Sequence, residues 1–202
     1  MRSVITERDV PFGGELRVPK GTIFTPSARD LAAARGVKIL EVSDADLPVA
    51  TPEQTIAIGA DHGGFQMKQA LKPILEEFHL SILDVGTYDE KSVDYPDIAQ
   101  KVAEAVATGK VRRGIVIDGA GIGSCMAANK VPGVRAALCY DKASARNSRE
   151  HNDSNVLTLG GRLLTLSQAE EVLRVWLSTA FGGGRHQGRI DKITKIEQRY
   201  SS

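Results

Sequence analysis

Two cysteines, four histidines and a single tryptophan in 202 residues leave little material for several kinds of site. Cys125 and Cys139 are too few for a disulfide scaffold, and the scattered histidines show no zinc-ligand spacing, so a reducing interior with no bound metal is expected. Charge of one sign is lacking as well. The 26 Lys and Arg against 25 Asp and Glu leave a formal charge of +1, and no global field recommends nucleic acid or an acidic membrane surface as a partner. Any basic site must therefore be local. No segment approaches the roughly 18 apolar residues of a membrane span, and Met1 to Asp9 is charged where a signal peptide needs an apolar run. A cytoplasmic protein is expected. What is present, 42% hydrophobic and 25% charged residues, is the composition of a chain that buries a core.

Residues 43–54, acidic and with Pro48 and Pro52, carry no sustained period and read as a linker between a short extension, 1–42, and a main domain, 55–202. In the main domain short aliphatic runs alternate with segments of helical period. Strands are expected at Thr55 to Ala60, Ser81 to Val85, Gly114 to Asp118, Val134 to Cys139 and Val156 to Leu159. Five strands with helices between them imply an α/β fold, a three-layer αβα sandwich around a five-stranded parallel sheet. Ile98, Val102 and Val106 recur every four residues, with Ala99 and Ala103 widening the stripe, and Gly109 ends that helix. A helix starting near Leu166-Ser167 is expected to bury Val172, Leu173, Val175, Trp176 and Leu177 before Gly182-Gly183-Gly184 stops it. Ile190, Ile193 and Ile196 make a narrow apolar edge suited to packing on the domain or on a second subunit.

Open α/β sheets bind ligands at the carboxyl ends of their strands. Asp61-His62-Gly63-Gly64 puts a carboxylate beside an imidazole after the first strand. The third strand leads into Asp118-Gly119-Ala120-Gly121-Ile122-Gly123-Ser124, where close glycines let amides converge on an anion ahead of a helix. With Asp141 near the end of the next strand, this loop also approaches a dinucleotide fingerprint, though on the third strand instead of the first. Arg149-Glu150-His151-Asn152-Asp153 offers an acid or base near neutral pH, and Arg185 and Arg189, four apart, form a phosphate fork if helical. Together these features specify a small phosphorylated substrate and proton transfers.

From Thr55 to Tyr200 the chain resembles type B ribose-5-phosphate isomerases, in the wider family that includes galactose-6-phosphate isomerase subunits. The likeness rests on Ile58 to Gly64, Val93-Asp94-Tyr95-Pro96-Asp97, Gly119 to Lys130, Arg149 to Asn155 and Gly183 to Arg189. It implies a Rossmann-like fold and an aldose–ketose isomerase of ribose 5-phosphate that works through an enediolate, needing no cofactor. It assigns ring opening and proton handling to Asp61 and His151, and phosphate binding to His62, Arg185 and Arg189 with help from Arg162. Asn152 and the backbone of Gly119, Gly121, Gly123 and Ser124 hold the enediolate, and Tyr95 lines the pocket. A homodimer or homotetramer with shared sites is implied.

Many members carry a cysteine where this chain has Asp118 and a threonine where it has Ala120; Cys125, seven positions on, cannot replace the first. Asp118 is the natural substitute base. The galactose-type subunits look similar here, so a hexose 6-phosphate remains an alternative substrate, although His62 after Asp61 resembles the pentose enzymes. A nucleotide-binding dehydrogenase and a catalytically silent cargo or assembly protein are the alternatives from other classes. In the extension, Thr25 as helix cap and Pro26 at the first helical position follow an extended piece, and Gly36 ends the helix. Such a unit can barely bury a core of its own. It is similar to terminal segments of bacterial microcompartment enzymes with a Thr-Pro-x-Ala helix start, which implies shell or cargo partners; the other reading is an oligomer-stabilising arm.

Overall fold

The computed structural model describes residues 4–11, 14–43 and 51–200, the side chains of Arg8 and Glu53 excepted. The chain divides into two compact units, Met1–Val49 and Ala50–Ser202.

In the first unit β1 (Val4–Ile5) pairs in parallel with β3 (Ile23–Phe24), and β2 (Glu15–Pro19) with β4 (Lys38–Val42). Helix α1 (Pro26–Ala34) begins at Thr25, whose hydroxyl accepts the Ala28 N–H at 3.2 Å, with Pro26 where a missing N–H costs nothing. Gly36, at φ +65°, turns the chain into β4. Val10, Ala28, Ala32 and Val37 are buried together, so the unit has a small core of its own.

The second unit is built from β5 (Thr55–Ala60), α2 (Phe65–Glu77), β6 (Ser81–Asp84), α3 (Tyr95–Ala107), β7 (Arg113–Asp118), α4 (Ile122–Ala128), β8 (Ala136–Leu138), α5 (Lys142–Glu150), β9 (Val156–Gly160), α6 (Leu166–Ser178) and α7 (Gln187–Tyr200). All five strands are parallel, in the order β6-β5-β7-β9-β8. The pleat sends Ile56, Ile58, Ile115, Ile117, Leu157 and Leu159 to a core shared with Leu71 and Leu75 of α2 and Leu173 and Trp176 of α6. Ala57, Val116 and Val156 point the other way, toward Ile98, Val102 and Val106 of α3. That second face is close-packed because a glycine lies under α3: a Cβ on Gly59 would stand 2.6 Å from Ile98 Cγ2.

Several boundaries differ from the sequence reading, β6, β7 and β9 by a single residue each. Most of the 43–54 stretch lies outside the described residues. Pro52–Gln54 is a 3₁₀ turn that holds the Arg112 N–H through the Pro52 carbonyl (3.0 Å), so these residues belong to the second unit. The strand expected at Val134 to Cys139 shortens to the edge strand β8. Thr165, not Leu166-Ser167, caps α6 through a reciprocal box with Gln168, and the helix stops at Ser178, ahead of the triple glycine.

Candidate active site

At the carboxyl edge of the sheet the ends of β5, β7 and β9 converge. Asp61 is 7% exposed, and its Oδ1 accepts the N–H groups of Gly63 (2.8 Å) and Gly64 (3.0 Å), closing the turn into α2. Asp118 ends β7 at 4% exposure. Its Oδ1 accepts the N–H groups of Ala120 (2.8 Å) and Gly121, and its Oδ2 accepts that of Ser124 (2.8 Å). The glycine loop was expected to present these amides to an enediolate. Three of them instead hold the chain's own carboxylate, because the loop turns tightly at Gly121 (φ +78°) and brings the first residue of the motif under the start of α4.

Arg162 follows β9, with its N–H on the Gly119 carbonyl at 3.0 Å. Its side chain runs between the Asp61 turn and the glycine loop: Nε would lie 3.2 Å from a Cβ on Gly63, and Cδ 3.7 Å from one on Gly119. Tyr95, on the first turn of α3, lays its ring on Gly123, where a Cβ would come within 2.5 Å of Cε2. His62 Nδ1 faces the Val93 N–H at 3.5 Å, and the Tyr140 hydroxyl donates to the Ala120 carbonyl at 2.9 Å. The structure thus brings together Asp61, Asp118, Gly119, Gly121, Gly123, Ser124, Arg162, Tyr95 and, beside them, His62.

The loop that follows β6 is pinned by a residue the sequence reading missed. Lys68 of α2 is fully buried and donates to Asp84 Oδ1 (2.7 Å) and to the Thr87 carbonyl (2.6 Å). Burial pushes the Lys68 ammonium below the usual lysine range, opposed by its bond to Asp84. Burial pushes Asp84 up, but bonds from Lys68, Lys72 and the Gly86 amide outweigh it and hold the carboxyl below the usual range. A lysine three and seven residues before Leu71 and Leu75, on the apolar side of α2, was the available signal.

The remaining expected residues sit elsewhere. His151 caps the carboxyl end of α5, a helix that runs back from the end of β8 and so finishes at the amino edge of the sheet. The same edge is marked by Arg113, the first residue of β7, whose Nη1 donates to the Leu177 carbonyl of α6 at 3.0 Å, and by the Gly182 N–H on the Glu150 carbonyl at 2.8 Å. His151 Nδ1 lies 2.9 Å from Asn147 Nδ2, and Asn152 Nδ2 reaches Asn147 Oδ1 at 3.2 Å. Arg149 is buried and bonds Asp153 (2.7 Å) and the Ser154 carbonyl (2.6 Å), shaping the 151–155 turn.

Arg185 belongs to the 3₁₀ turn Gly184–His186 and Arg189 to the first turn of α7, so the fork expected on a single helix spans two elements. Between them His186, unassigned from sequence, stacks on His151 with centroids 4.2 Å apart and planes 9° from parallel. Burial pushes its imidazole below the usual histidine range, and the charges of His151, Arg185 and Arg189 act the same way, against Glu150. A conjunction of all these groups inside one chain is therefore not realised. The carboxylates and His151 lie on opposite edges of a sheet whose strand β7 has six residues, on the order of 20 Å.

Other features fall into place around these edges. Asp141, the candidate ribose-binding acid, caps α5 by accepting the Ser144 N–H at 2.7 Å. A groove of about 740 Å³ runs beside edge strand β8, lined among others by Arg135, Asn152, Ile193, Ile196 and Tyr200. Among the described residues no group of three His, Cys, Asp or Glu is arranged to hold a metal ion, and no helix is long and apolar enough to cross a membrane.

The Ribose/Galactose Isomerase family model matches residues 56–193. The chain belongs to this family. It is 46% identical over 144 residues to ribose-5-phosphate isomerase B of Escherichia coli (strain K12), covering 71% of this chain and 97% of that protein. The solved ribose-5-phosphate isomerase B of Clostridium thermocellum is 50% identical with a TM-score of 0.71, covering 73% of this chain and 99% of its own. That of Mycoplasma genitalium, described with bound ribulose-5-phosphate, is 40% identical with a TM-score of 0.68, covering 71% and 96%. The family match leaves residues 1–55 outside it.

Within the isomerase fold, Asp118 occupies the end of the central strand and has one direction of approach left. A carboxylate offers about four lone-pair positions, and three are taken by Ala120, Gly121 and Ser124. Asp61, fixed by two amides, stands just after the neighbouring strand β5, and the Arg162 guanidinium lies between the two turns that carry them. These are two carboxylates fixed by backbone amides, with a cation between them, at one strand edge, an arrangement suited to moving a proton next to an oxyanion.

Proposed function

We propose that this protein interconverts ribose 5-phosphate and ribulose 5-phosphate by proton transfer through an enediolate. The observation that carries the reading is Asp118, fixed by three amides at the end of β7 with one lone pair open and Asp61 and Arg162 beside it. The ribulose-5-phosphate described in a 40% identical relative supports the substrate. In this reading Asp61 and His151 open the sugar ring. Asp118 takes the C2 proton, charge develops on O1, and the same proton returns to C1 while the O2 hydroxyl proton passes to O1, leaving a C1 hydroxyl and a C2 ketone. Arg162, Asn152 and the first-turn N–H groups of α4 at Ile122 and Gly123, which have no acceptor within the helix, hold the enediolate. His62, Arg185 and Arg189 bind the phosphate, and Tyr95 closes one wall.

Because His151, Asn152, Arg185 and Arg189 lie at the edge of the sheet opposite Asp61 and Asp118, the working site takes its second half from another copy of the chain, in a homodimer or homotetramer. The exposed Ile193 and Ile196 of α7 and the groove beside β8 offer apolar surface for that contact.

An isomerase assay with EDTA present, comparing ribose 5-phosphate with allose and galactose 6-phosphates, tests the substrate. Turnover of ribose 5-phosphate is expected to dominate; turnover of none would overturn the reading. Asp118→Asn is expected to lose on the order of 10² to 10⁴ in rate, and parental rates would remove Asp118 from the role of base. Shared sites have a separate test, since Asp118→Asn and His151→Ala proteins, inactive alone, can pair to give one intact site. Unfolding and refolding an equal mixture is expected to restore about a quarter of parental activity for a two-fold dimer; no recovery would contradict sharing.

For the first unit we infer attachment to shell or cargo proteins of a bacterial microcompartment, supported by the resemblance of its Thr25-Pro26-Ser27-Ala28 helix start. Co-sedimentation with shell proteins is expected for the full chain and lost on deleting residues 1–50. Unchanged co-sedimentation of the truncated protein would end this reading.

A further inference from the structure

The amide that fixes Asp118 Oδ1 is itself held from behind. Gly121 donates its N–H to that oxygen, and the carbonyl of the same peptide unit, that of Ala120, accepts the phenol of Tyr140 at 2.9 Å. Phenol, peptide and carboxylate form one continuous chain of hydrogen bonds, in which each member polarises the next. The phenol also answers a local need. Ala120 precedes the N-cap Gly121, so its carbonyl lies outside the ladder of α4, and the Ser124 N–H, a first-turn donor with no acceptor within the helix, goes to Asp118 Oδ2. Tyr140, just past the end of β8, supplies the donor for that carbonyl.

The carbonyl has little freedom to find a different partner, because it lies close over β9: a Cβ on Gly160 would stand 2.7 Å from it. Tyr140 is anchored in turn. Its backbone N–H reaches Ser144 Oγ at 3.2 Å, inside the capping box that Asp141 and Ser144 build at the start of α5. Its side of the loop carries no other named role in the reaction, and the residue is 39% exposed, so its ring is not a core requirement.

We propose that Tyr140 is a positioning residue for Asp118, acting through the Ala120–Gly121 peptide to hold the carboxylate with its open lone pair toward the substrate. This rests on the isomerase reading above. The test is Tyr140→Phe, which keeps the ring and removes the donor. The expected result is kcat for ribose 5-phosphate reduced about 3- to 10-fold, the size of one lost neutral hydrogen bond, with KM unchanged, since the phenol touches the loop and not the sugar. Parental kcat, or a rise in KM with kcat preserved, would overturn the proposal, and so would a loss of thermal stability with both constants unchanged.

A second measurement does not depend on turnover. Carboxyl ¹³C NMR of Asp118 is expected to give a titration midpoint a few tenths of a pH unit higher in Tyr140→Phe than in the parent. The ionisable groups around this edge, Asp61 after β5, His62 in the same turn, Arg162 after β9 and Tyr95 on α3, are the same in both proteins. An unchanged midpoint would refute the relay even in an active enzyme. If the parent turned over no ribose 5-phosphate the isomerase reading would fall, and the midpoint would still decide the role of Tyr140.

Discussion

The buried pair Lys68–Asp84 yields an ordered set of stabilities, because its two members are not equally replaceable. Asp84 receives Lys68 at 2.7 Å, Lys72 at 2.5 Å and the Gly86 N–H at 3.0 Å. Lys68→Met fills similar space and leaves Asp84 with two of those partners, so the cost is mainly the orphaned Thr87 carbonyl, about 1–3 kcal/mol. Asp84→Asn removes the counter-charge from an ammonium with no exposure at all. An uncompensated buried charge costs about 3–5 kcal/mol. Shedding the proton sets a ceiling, because deprotonating a lysine with an unfolded-state pKa of about 10.4 costs roughly 4.6 kcal/mol at pH 7. A neutral Lys68 in folded Asp84→Asn means that the unfolded chain binds more protons, so its stability rises with pH. Its deficit is expected to shrink by up to about 1.4 kcal/mol per unit between pH 7 and 9. Lys68→Met carries no such dependence, and the double variant is expected to be more stable than Asp84→Asn alone. Trp176 is the only tryptophan and is fully buried in the second unit, so its fluorescence during urea denaturation at fixed protein concentration follows this unit alone. A Lys68→Met protein as unstable as Asp84→Asn, or an Asp84→Asn deficit flat from pH 7 to 9, would refute the reasoning.

Gly64→Ala would put a Cβ 2.6 Å from the Ile117 carbonyl carbon, against backbone that cannot swing aside. A loss of about 1–3 kcal/mol or more is expected, together with displacement of the Asp61 turn from β7, read as a lowered thermal midpoint and reduced activity; a neutral variant would mean that the turn sits further from β7. His186 has its imidazole pushed below the ordinary range by burial, so the unfolded chain takes up its proton first as pH falls. Stability is expected to decline as pH drops below about 6.5, the unfolded histidine value. His186→Phe, which keeps a flat ring against His151, is expected to lose part of that decline in thermal scans from pH 7.5 to 5.5, and an identical slope would exclude His186 as its source.

The strands and the faces of α3 and α6 were legible because a period of β-branched or apolar residues is a property of the chain itself, and Ile98, Val102 and Val106 meet the sheet as that period requires. The glycine loop was legible for the same reason, since Gly121 needs a left-handed backbone whatever surrounds it. What the loop would bind was not, because its amides close on Asp118, and neither partner's chemistry reveals the distance between them. Lys68 was hidden by type: lysines face water by default, and only Asp84 and the Thr87 carbonyl, 16 and 19 residues away, make burial tolerable.

The separation of Asp118 from His151, by contrast, follows from direction alone. Each parallel strand delivers the chain to the carboxyl edge, and the helix after it must return to the amino edge before the next strand begins. A residue at the end of β7 and one at the end of α5 therefore cannot share an edge in one chain, whatever their side chains. Asp118 has the first position and His151, five residues ahead of β9, the second. Counting from strand ends treats both as candidates at one mouth. Counting directions separates them by the length of a strand, and that separation is what supports the proposal that a second copy of the chain completes the site.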